Sequence, residues 1–224
     1  MKAICINLHN EVKKFEDTSL EMKKFGIETE RFITYKLKDV PRIKRKEVPY
    51  DSKVHNILDS HLKSMNKQIK CSDEMFIFLE DDIIVIRDVD LNVLINNAPS
   101  DWDVIYLGGS NHHYLPEIID DIFYKCKFSF NCHAMVIKTA FVPKIIEQLQ
   151  KRKWENDVIY AQMQEDGIGN WYGVVDDIII QHGKYADIKI AAYPVAYERI
   201  KDLLPMLGDV KLRRVTEPIG SYYK

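Results

Sequence analysis

No stretch of this sequence approaches the ~18 consecutive apolar residues that a membrane-spanning helix requires, although 46% of its 224 residues are hydrophobic. The opening Met1-Lys2-Ala3-Ile4-Cys5-Ile6-Asn7-Leu8 has a lysine and an apolar run, but the run is shorter than a secretory h-region and no small-residue cleavage site follows. It reads as a first strand. Cysteine is also scarce: Cys5, Cys71, Cys126 and Cys132 form no C-x-x-C pair, which argues against a zinc ribbon or a thioredoxin-like motif and leaves reduced, mostly buried thiols. Sequons of the form Asn-x-Ser/Thr are missing too, in keeping with a cytoplasmic protein. An excess of either charge is lacking, since 32 basic residues face 34 acidic ones, and without a global positive field nucleic acid is not an expected partner. Gly108-Gly109 is accompanied by no G-x-G-x-x-G and no Walker lysine, so a dinucleotide-binding fold has no support. Internal repeats and low-complexity tracts are absent as well.

What the sequence does contain is a succession of strands and helices of a size suited to one α/β domain. Residues 3–8 read as a strand, followed by a helix over 11–25 with Val12, Phe15, Met22 and Phe25 on one stripe and Gly26 closing it. Residues 29–35 read as a second strand. Lys36, Lys38, Arg42, Lys44, Arg45 and Lys46 then cluster around Pro41; such a run is a solvated loop, or a guide for a diphosphate or a membrane surface. Asp51 or Ser52 can cap the next helix. Its Val54, Ile57, Leu58, His61, Leu62, Met65 and Ile69 recur at three- and four-residue steps and face the core, with His55 and His61 read as core or boundary residues. Strands are expected at 75–79, 83–87, 102–107, 134–137 and 174–180, and helices at 91–97, after a Thr139 cap with Pro143 early, and at 155–163. Gly167, Gly169 and Gly173 place Trp171 and Tyr172 in an expected loop. Past Gly183 the chain is mixed and basic, broken by Pro194, Pro205 and Pro218.

The segment with the clearest chemistry is Met75-Phe76-Ile77-Phe78-Leu79-Glu80-Asp81-Asp82, an apolar strand that ends in three carboxylates. Like charges side by side raise the Coulomb energy unless a cation neutralises them, and oxygen donors suit a hard divalent ion. Strand ends of open α/β sheets are where ligands bind. These residues suggest a metal that holds an anionic, phosphate-bearing substrate, though a solvated acidic turn has the same composition.

Five motifs in order resemble the glycosyltransferase family that includes lipopolysaccharide-biosynthesis glycosyltransferases and procollagen galactosyltransferases. Ile6-Asn7-Leu8 is similar to its opening "I-N-L", residues 55–62 to its "C-L-x-S-H" helix, and Phe78-Leu79-Glu80-Asp81-Asp82 to its "L-E-D-D". Asp101-Trp102-Asp103-Val104-Ile105-Tyr106-Leu107-Gly108 is similar to "W-D-x-x-x-L-G", and His133-Ala134 with Val136-Ile137 to "G-T-H-A-Y-x-I-S". The similarity spans about residues 3 to 190. It implies a GT-A-like single domain at 1–190, a mixed, mostly parallel central sheet flanked by helices, with residues 191–224 as a C-terminal extension packed on it.

In function, the resemblance implies transfer of a hexose, galactose or glucose, from a UDP-sugar to a hydroxyl on a glycan or protein, with inversion and with Mn2+ or Mg2+ as cofactor. Asp82 and Glu80 are then the metal ligands. Asn7, Leu8, Glu80, Asp81 and His133 form the donor site, Asp157 is the catalytic base, and Trp171 contacts the acceptor. Asp176-Asp177 is a second candidate for the base, with Gln181 matching a family glutamine, and His133 or His182 can complete a metal or diphosphate site. For Asp157 a helix-capping role stands beside the catalytic one, and Trp102 is expected in the core. The chain departs from the pattern in three places: residues 9–14 carry no arginine, Asn131-Cys132 precedes His133, and Glu155-Asn156 precedes Asp157. A non-catalytic relative that binds sugar nucleotide or glycan, and a metal-dependent phosphoesterase, remain the alternatives. Peripheral membrane contact also stays open.

Overall fold

A computed structural model describes residues 1–35, 52–108, 116–130, 132–151 and 155–181, with 52–56 described by backbone alone. The basic cluster at 36–46, His55 as a side chain, Gly109, Asn131, His182 and the expected extension at 191–224 lie outside the described residues.

Among the described residues, ten strands and five helices follow one another as β1 (Lys2–Leu8), α1 (Val12–Lys23), β2 (Thr29–Thr34), α2 (Ser52–Gln68), β3 (Met75–Leu79), β4 (Ile83–Val85), α3 (Leu91–Asn96), β5 (Val104–Tyr106), β6 (Glu117–Ile118), β7 (Phe123–Lys125), β8 (Ala134–Lys138), α4 (Val142–Gln150), α5 (Asn156–Glu165), β9 (Trp171–Val174) and β10 (Ile179–Gln181). Eight strands form the central sheet in the order β2-β1-β3-β8-β5-β9-β7-β6, and β10 pairs with β4 in a separate ribbon. β1 is parallel to β2 and β3, and β5 to β9, while β8 and β7 run against their neighbours. The sheet is therefore mixed, with most strands pointing one way and helices flanking it, as expected.

Successive strand residues point to opposite faces, and here both faces are apolar. Ile4, Ile6, Phe76, Phe78, Val104, Tyr106, Met135 and Ile137 join one core with residues of α2, α4 and α5. Their strand neighbours Ala3, Cys5, Ile77, Leu79, Ile105, Leu107, Ala134 and Val136 join the other, with Met22 of α1 and Leu91 and Ile95 of α3. A sheet buried on both sides needs near-continuous apolar runs such as Met75–Leu79, which is why that strand was legible. Asp90 caps α3 by accepting hydrogen bonds from the Asn92 and Val93 amides.

Several expectations are corrected. Val12 is 45% exposed, so α1 buries Met22 and Thr18 and packs Phe15 partly against the core, with Val12 left in solvent. Ile69, past the end of α2, is exposed too. Thr139 does not cap α4; its hydroxyl donates to the Asp73 carbonyl, and a short 3-10 turn (Thr139–Phe141) leads into the helix. The hairpin of β6 and β7 was not anticipated. The expected strand at 174–180 is two elements: Val174 ends β9 in the main sheet, and Ile179–Gln181 forms β10 against β4.

Candidate functional site

The parallel pairing of β1 with β3 and the antiparallel pairing of β3 with β8 bring three chain segments to one edge: the end of β1, the residues after β3, and those before β8. The Glu80 amide donates to the His133 carbonyl at 2.9 Å, which extends the β3–β8 ladder one step and fixes where the acidic triplet leaves the sheet.

The three carboxylates then diverge. Asp81 turns toward β1, where the Asn7 Nδ2 amide donates to its Oδ2 at 2.5 Å and also to the Glu11 carbonyl. Asn7 is only 2% exposed, and its Oδ1 accepts from Arg31 Nε at 2.7 Å. Arg31 also donates to the carbonyls of Leu8 and His9. A guanidinium thus stands at the end of β1, supplied by β2 and not by residues 9–14. Leu8 contributes its carbonyl to this network and a partly buried side chain.

Asp82 is compensated on one side only, by a side-chain hydrogen bond from Gln181 and the charge of Lys14. Its Oδ1 is buried and has no hydrogen-bond partner among the described residues. Burial first, and then the neighbouring charges of Glu80 and Asp81, push its carboxyl up to about 7. Asp81 is also raised by burial, with its Asn7 hydrogen bond opposing. Glu80 divides its two oxygens: Oε2 receives Gln181 Nε2 of β10 at 3.4 Å, while Oε1 faces inward, 3.7 Å from His61 Nε2 and 3.7 Å from Cys132 Sγ.

Behind Glu80 lies a buried polar cluster. His61 of α2, fully buried, has Nδ1 3.0 Å from the Tyr160 hydroxyl, and its Nε2 is 3.4 Å from Asn156 Nδ2. An amide nitrogen can only donate, so Nε2 is the acceptor and Nδ1 carries the proton toward Tyr160. Burial lowers His61 to about 4, against the opposing pull of Asp157. The Cys132 thiol donates to Asp157 Oδ1 at 2.8 Å, and Asn156 Nδ2 reaches both Cys132 Sγ at 2.9 Å and Asp157 Oδ1 at 3.0 Å. Asp157, in the first turn of α5, is thereby joined to the acidic edge through one thiol.

His133 is 1% exposed; its Nε2 faces the Ile179 carbonyl at 3.2 Å and its Nδ1 is buried without a partner among the described residues. Burial lowers it to about 4. Gly108 follows β5 here with φ +150°, and a Cβ on it would stand 2.4 Å from the Ile179 carbonyl oxygen. Of the second base candidates, Asp176 is ion-paired with Arg87 at 3.1 Å. Trp171 is not in a loop: it opens β9, is 1% exposed, donates its indole N–H to the Ile168 carbonyl, and packs with Tyr106, Phe141 and Tyr160. Its indole is core in this conformation, because Gly169 allows the Phe141 ring so close that a Cβ there would be 2.2 Å from it. Trp102 is buried beneath Lys138, as its core reading expects.

The structure therefore joins Asn7, Glu80, Asp81, Asp82, His133 and Asp157 and leaves Trp171 apart. Sequence reasoning did not find Arg31, Cys132, Asn156 or Tyr160, because nothing local marks contacts between residues as distant as Asn156 and His61, 95 positions apart.

No family model and no curated protein matches the sequence. The chain is similar to several solved structures, two glycosyltransferases among them. Glycosyltransferase GlyE of Streptococcus pneumoniae is 10% identical, with a TM-score of 0.43, over 78% of this chain and 45% of GlyE. A Drosophila beta-1,4-galactosyltransferase 7 mutant in complex with manganese, UDP-Gal and xylobiose is 13% identical, with a TM-score of 0.35, over 65% of this chain and 52% of that one. A putative glucose-1-phosphate thymidylyltransferase of Bacillus anthracis is 9% identical, with a TM-score of 0.44, over 94% and 78%. The chain thus spans about half the length of the two glycosyltransferases.

Proposed function

We propose that this chain is a metal-dependent glycosyltransferase that moves a hexose, galactose or glucose, from a UDP-sugar to a hydroxyl of a glycan or protein, with inversion. The observation that carries this reading is the orphaned, buried Oδ1 of Asp82 beside two further carboxylates. An oxygen donor with no hydrogen bond, in a place where negative charge is already disfavoured, matches what a hard divalent cation needs. In this reading Asp82 and Glu80 hold the cation, Mn2+ or Mg2+, while Asp81 is tied to Asn7 and supports them. When bound, the ion would supply Lewis-acid stabilisation to the departing diphosphate.

The chain's own residues do the rest. Arg31 and Asn7 fix the end of β1 as one wall of the donor site, with Leu8 beside them and His133 as a neutral group under the triplet. Asp157 accepts the proton of the acceptor hydroxyl as its oxygen forms the new bond to the sugar's anomeric carbon, while the bond to the diphosphate breaks and its electron pair leaves with UDP. The Asn156 amide and the Cys132 thiol both reach Asp157 Oδ1 and orient the carboxylate.

The test is a thermal-shift screen of UDP-sugars with Mn2+ present, on the parent and on Asp82→Ala. UDP-sugars raise the Tm of the parent and not of the variant; equal shifts in both remove the metal role of Asp82. In the same series Asp157→Asn keeps the donor-induced shift and loses transfer.

A further inference from the structure

Glu80 Oε1 looks away from Asp82, into a pocket of different chemistry. His61 Nε2, Cys132 Sγ and a Glu80 carboxylate oxygen lie within 4.8 Å of one another. Two of the three separations, His61 to Glu80 and Cys132 to Glu80, are already 3.7 Å. Ligand atoms on a tetrahedral zinc, with bonds of about 2.0–2.3 Å, stand roughly 3.3–3.8 Å apart, so little movement would close the set. From this geometry we infer a second, inner cation site in which His61 Nε2, Glu80 Oε1 and Cys132 Sγ bind a borderline-soft divalent ion of the zinc class.

The supporting groups fit. Tyr160 faces the other imidazole nitrogen of His61 at 3.0 Å, which holds the ring and leaves Nε2 with its lone pair toward the pocket; a partner on the second nitrogen is the usual companion of a metal-binding histidine. Asn156 Nδ2 lies 2.9 Å from Cys132 Sγ and 3.4 Å from His61 Nε2; a cation on Nε2 takes the lone pair that faces this amide, whose two N–H groups then serve the sulfur and Asp157 Oδ1. Thiolate and imidazole favour zinc or cobalt, whereas a hard ion such as Mn2+ prefers the all-oxygen environment at Asp82. Access is through Glu80, whose side chain is 24% exposed, while His61 is fully buried. Binding converts the Cys132 thiol to a thiolate; the S–H proton passes to Asp157 Oδ1, which already accepts its hydrogen bond, and on to solvent as the sulfur–metal bond forms. Because Glu80 belongs to both sites, occupancy of the inner site is linked to the outer one. That linkage rests on the proposed function, and the inner site itself does not.

The test uses the full chain, freed of metal by chelation and given one equivalent of Zn2+. X-ray absorption at the zinc edge is expected to show one sulfur at about 2.3 Å with lighter ligands completing the shell; a shell of nitrogen and oxygen only, or no stoichiometric uptake, overturns the inference without needing any variant. Co2+ is expected to give a thiolate-to-cobalt charge-transfer band that Cys132→Ser abolishes and that Cys71→Ser and Asp82→Ala retain. A band that survives Cys132→Ser also overturns it. The two readings fail separately: loss of Mn2+-dependent UDP-sugar binding with the cobalt band intact sinks the transferase reading alone, and the converse sinks the inner site alone.

Discussion

Asp82 shows how a single side chain can be unfavourable to the fold and useful to a site. Its folded pKa, about 7, lies above the ordinary 3.8 because burial and then Glu80 and Asp81 oppose ionisation. With the folded value raised, the fold holds the proton more tightly than the unfolded chain. This contribution is fully present below pH 3.8 and is lost as pH rises through about 7. Each pKa unit corresponds to about 1.4 kcal/mol, and each kcal/mol to roughly 2–4 °C in a domain of this size. Asp82→Asn, which keeps the shape and removes the charge, should therefore raise the Tm of the cation-free protein by several °C at pH 8 and by little near pH 4. Scanning calorimetry in chelator at both values checks this; an unchanged or lowered Tm at pH 8 would show that the carboxylate already has its charge compensated. Adding Mn2+ should reverse the ranking if the cation binds where proposed.

Among the elements, the bend that leaves β5 is held against the backbone of β10. Gly108 is at φ +150°, and a Cβ there would be 2.4 Å from the Ile179 backbone oxygen, an atom that cannot rotate away. The Ile178 and Ile179 amides both donate to the Leu107 carbonyl, so this contact also sets the position of β10 and of Gln181 beside Glu80. Gly108→Ala should cost about 1–3 kcal/mol in urea unfolding and loosen the ribbon of β10 and β4. An unchanged midpoint would mean that the turn is softer than its geometry. The elements differ in how far the sequence announced them. β3 was plain because a strand buried on both faces is a continuous apolar run, and α2 because Leu58, His61 and Met65 keep helical spacing. β9 was misread because Gly167, Gly169 and Gly173 imitate a loop, whereas Gly173 is small because the Tyr124 ring covers it: a Cβ there would be 2.3 Å from that ring. The hairpin of β6 and β7 escaped notice because its turn depends on Asp120, whose carboxylate receives the Ile122 and Phe123 amides. The candidate site divides in the same way. Its acidic triplet is contiguous and visible, while the His61, Cys132 and Asn156 cluster exists only after α2, the approach to β8 and α5 have packed together.

Across the whole molecule, pH acts on two buried histidines as well as on the carboxylates, and with the opposite sign. His61 and His133 are both lowered from 6.5 to about 4, in each case chiefly by burial. A histidine whose folded pKa is depressed binds fewer protons in the fold than in the unfolded chain, so stability falls as pH drops from 6.5 toward 4. Protonating His133 would place a charged N–H at Nδ1, where no acceptor is present among the described residues, and protonating His61 would place one beside the Asn156 amide. Asp82, and Asp81 by a smaller shift, work the other way over nearly the same interval. The two histidines, embedded in the packing of α2, β8 and β10, should dominate, and the Tm of the cation-free protein should decline steadily between pH 6.5 and pH 4. His133→Gln keeps a polar group that can reach the Ile179 carbonyl without titrating, and should flatten that decline by up to half even if it lowers the Tm at pH 7. Tm measured at half-unit steps for parent and variant decides it: parallel curves would mean that His133 protonates in the fold as readily as in the unfolded chain, and that its burial is relieved by a motion of β10.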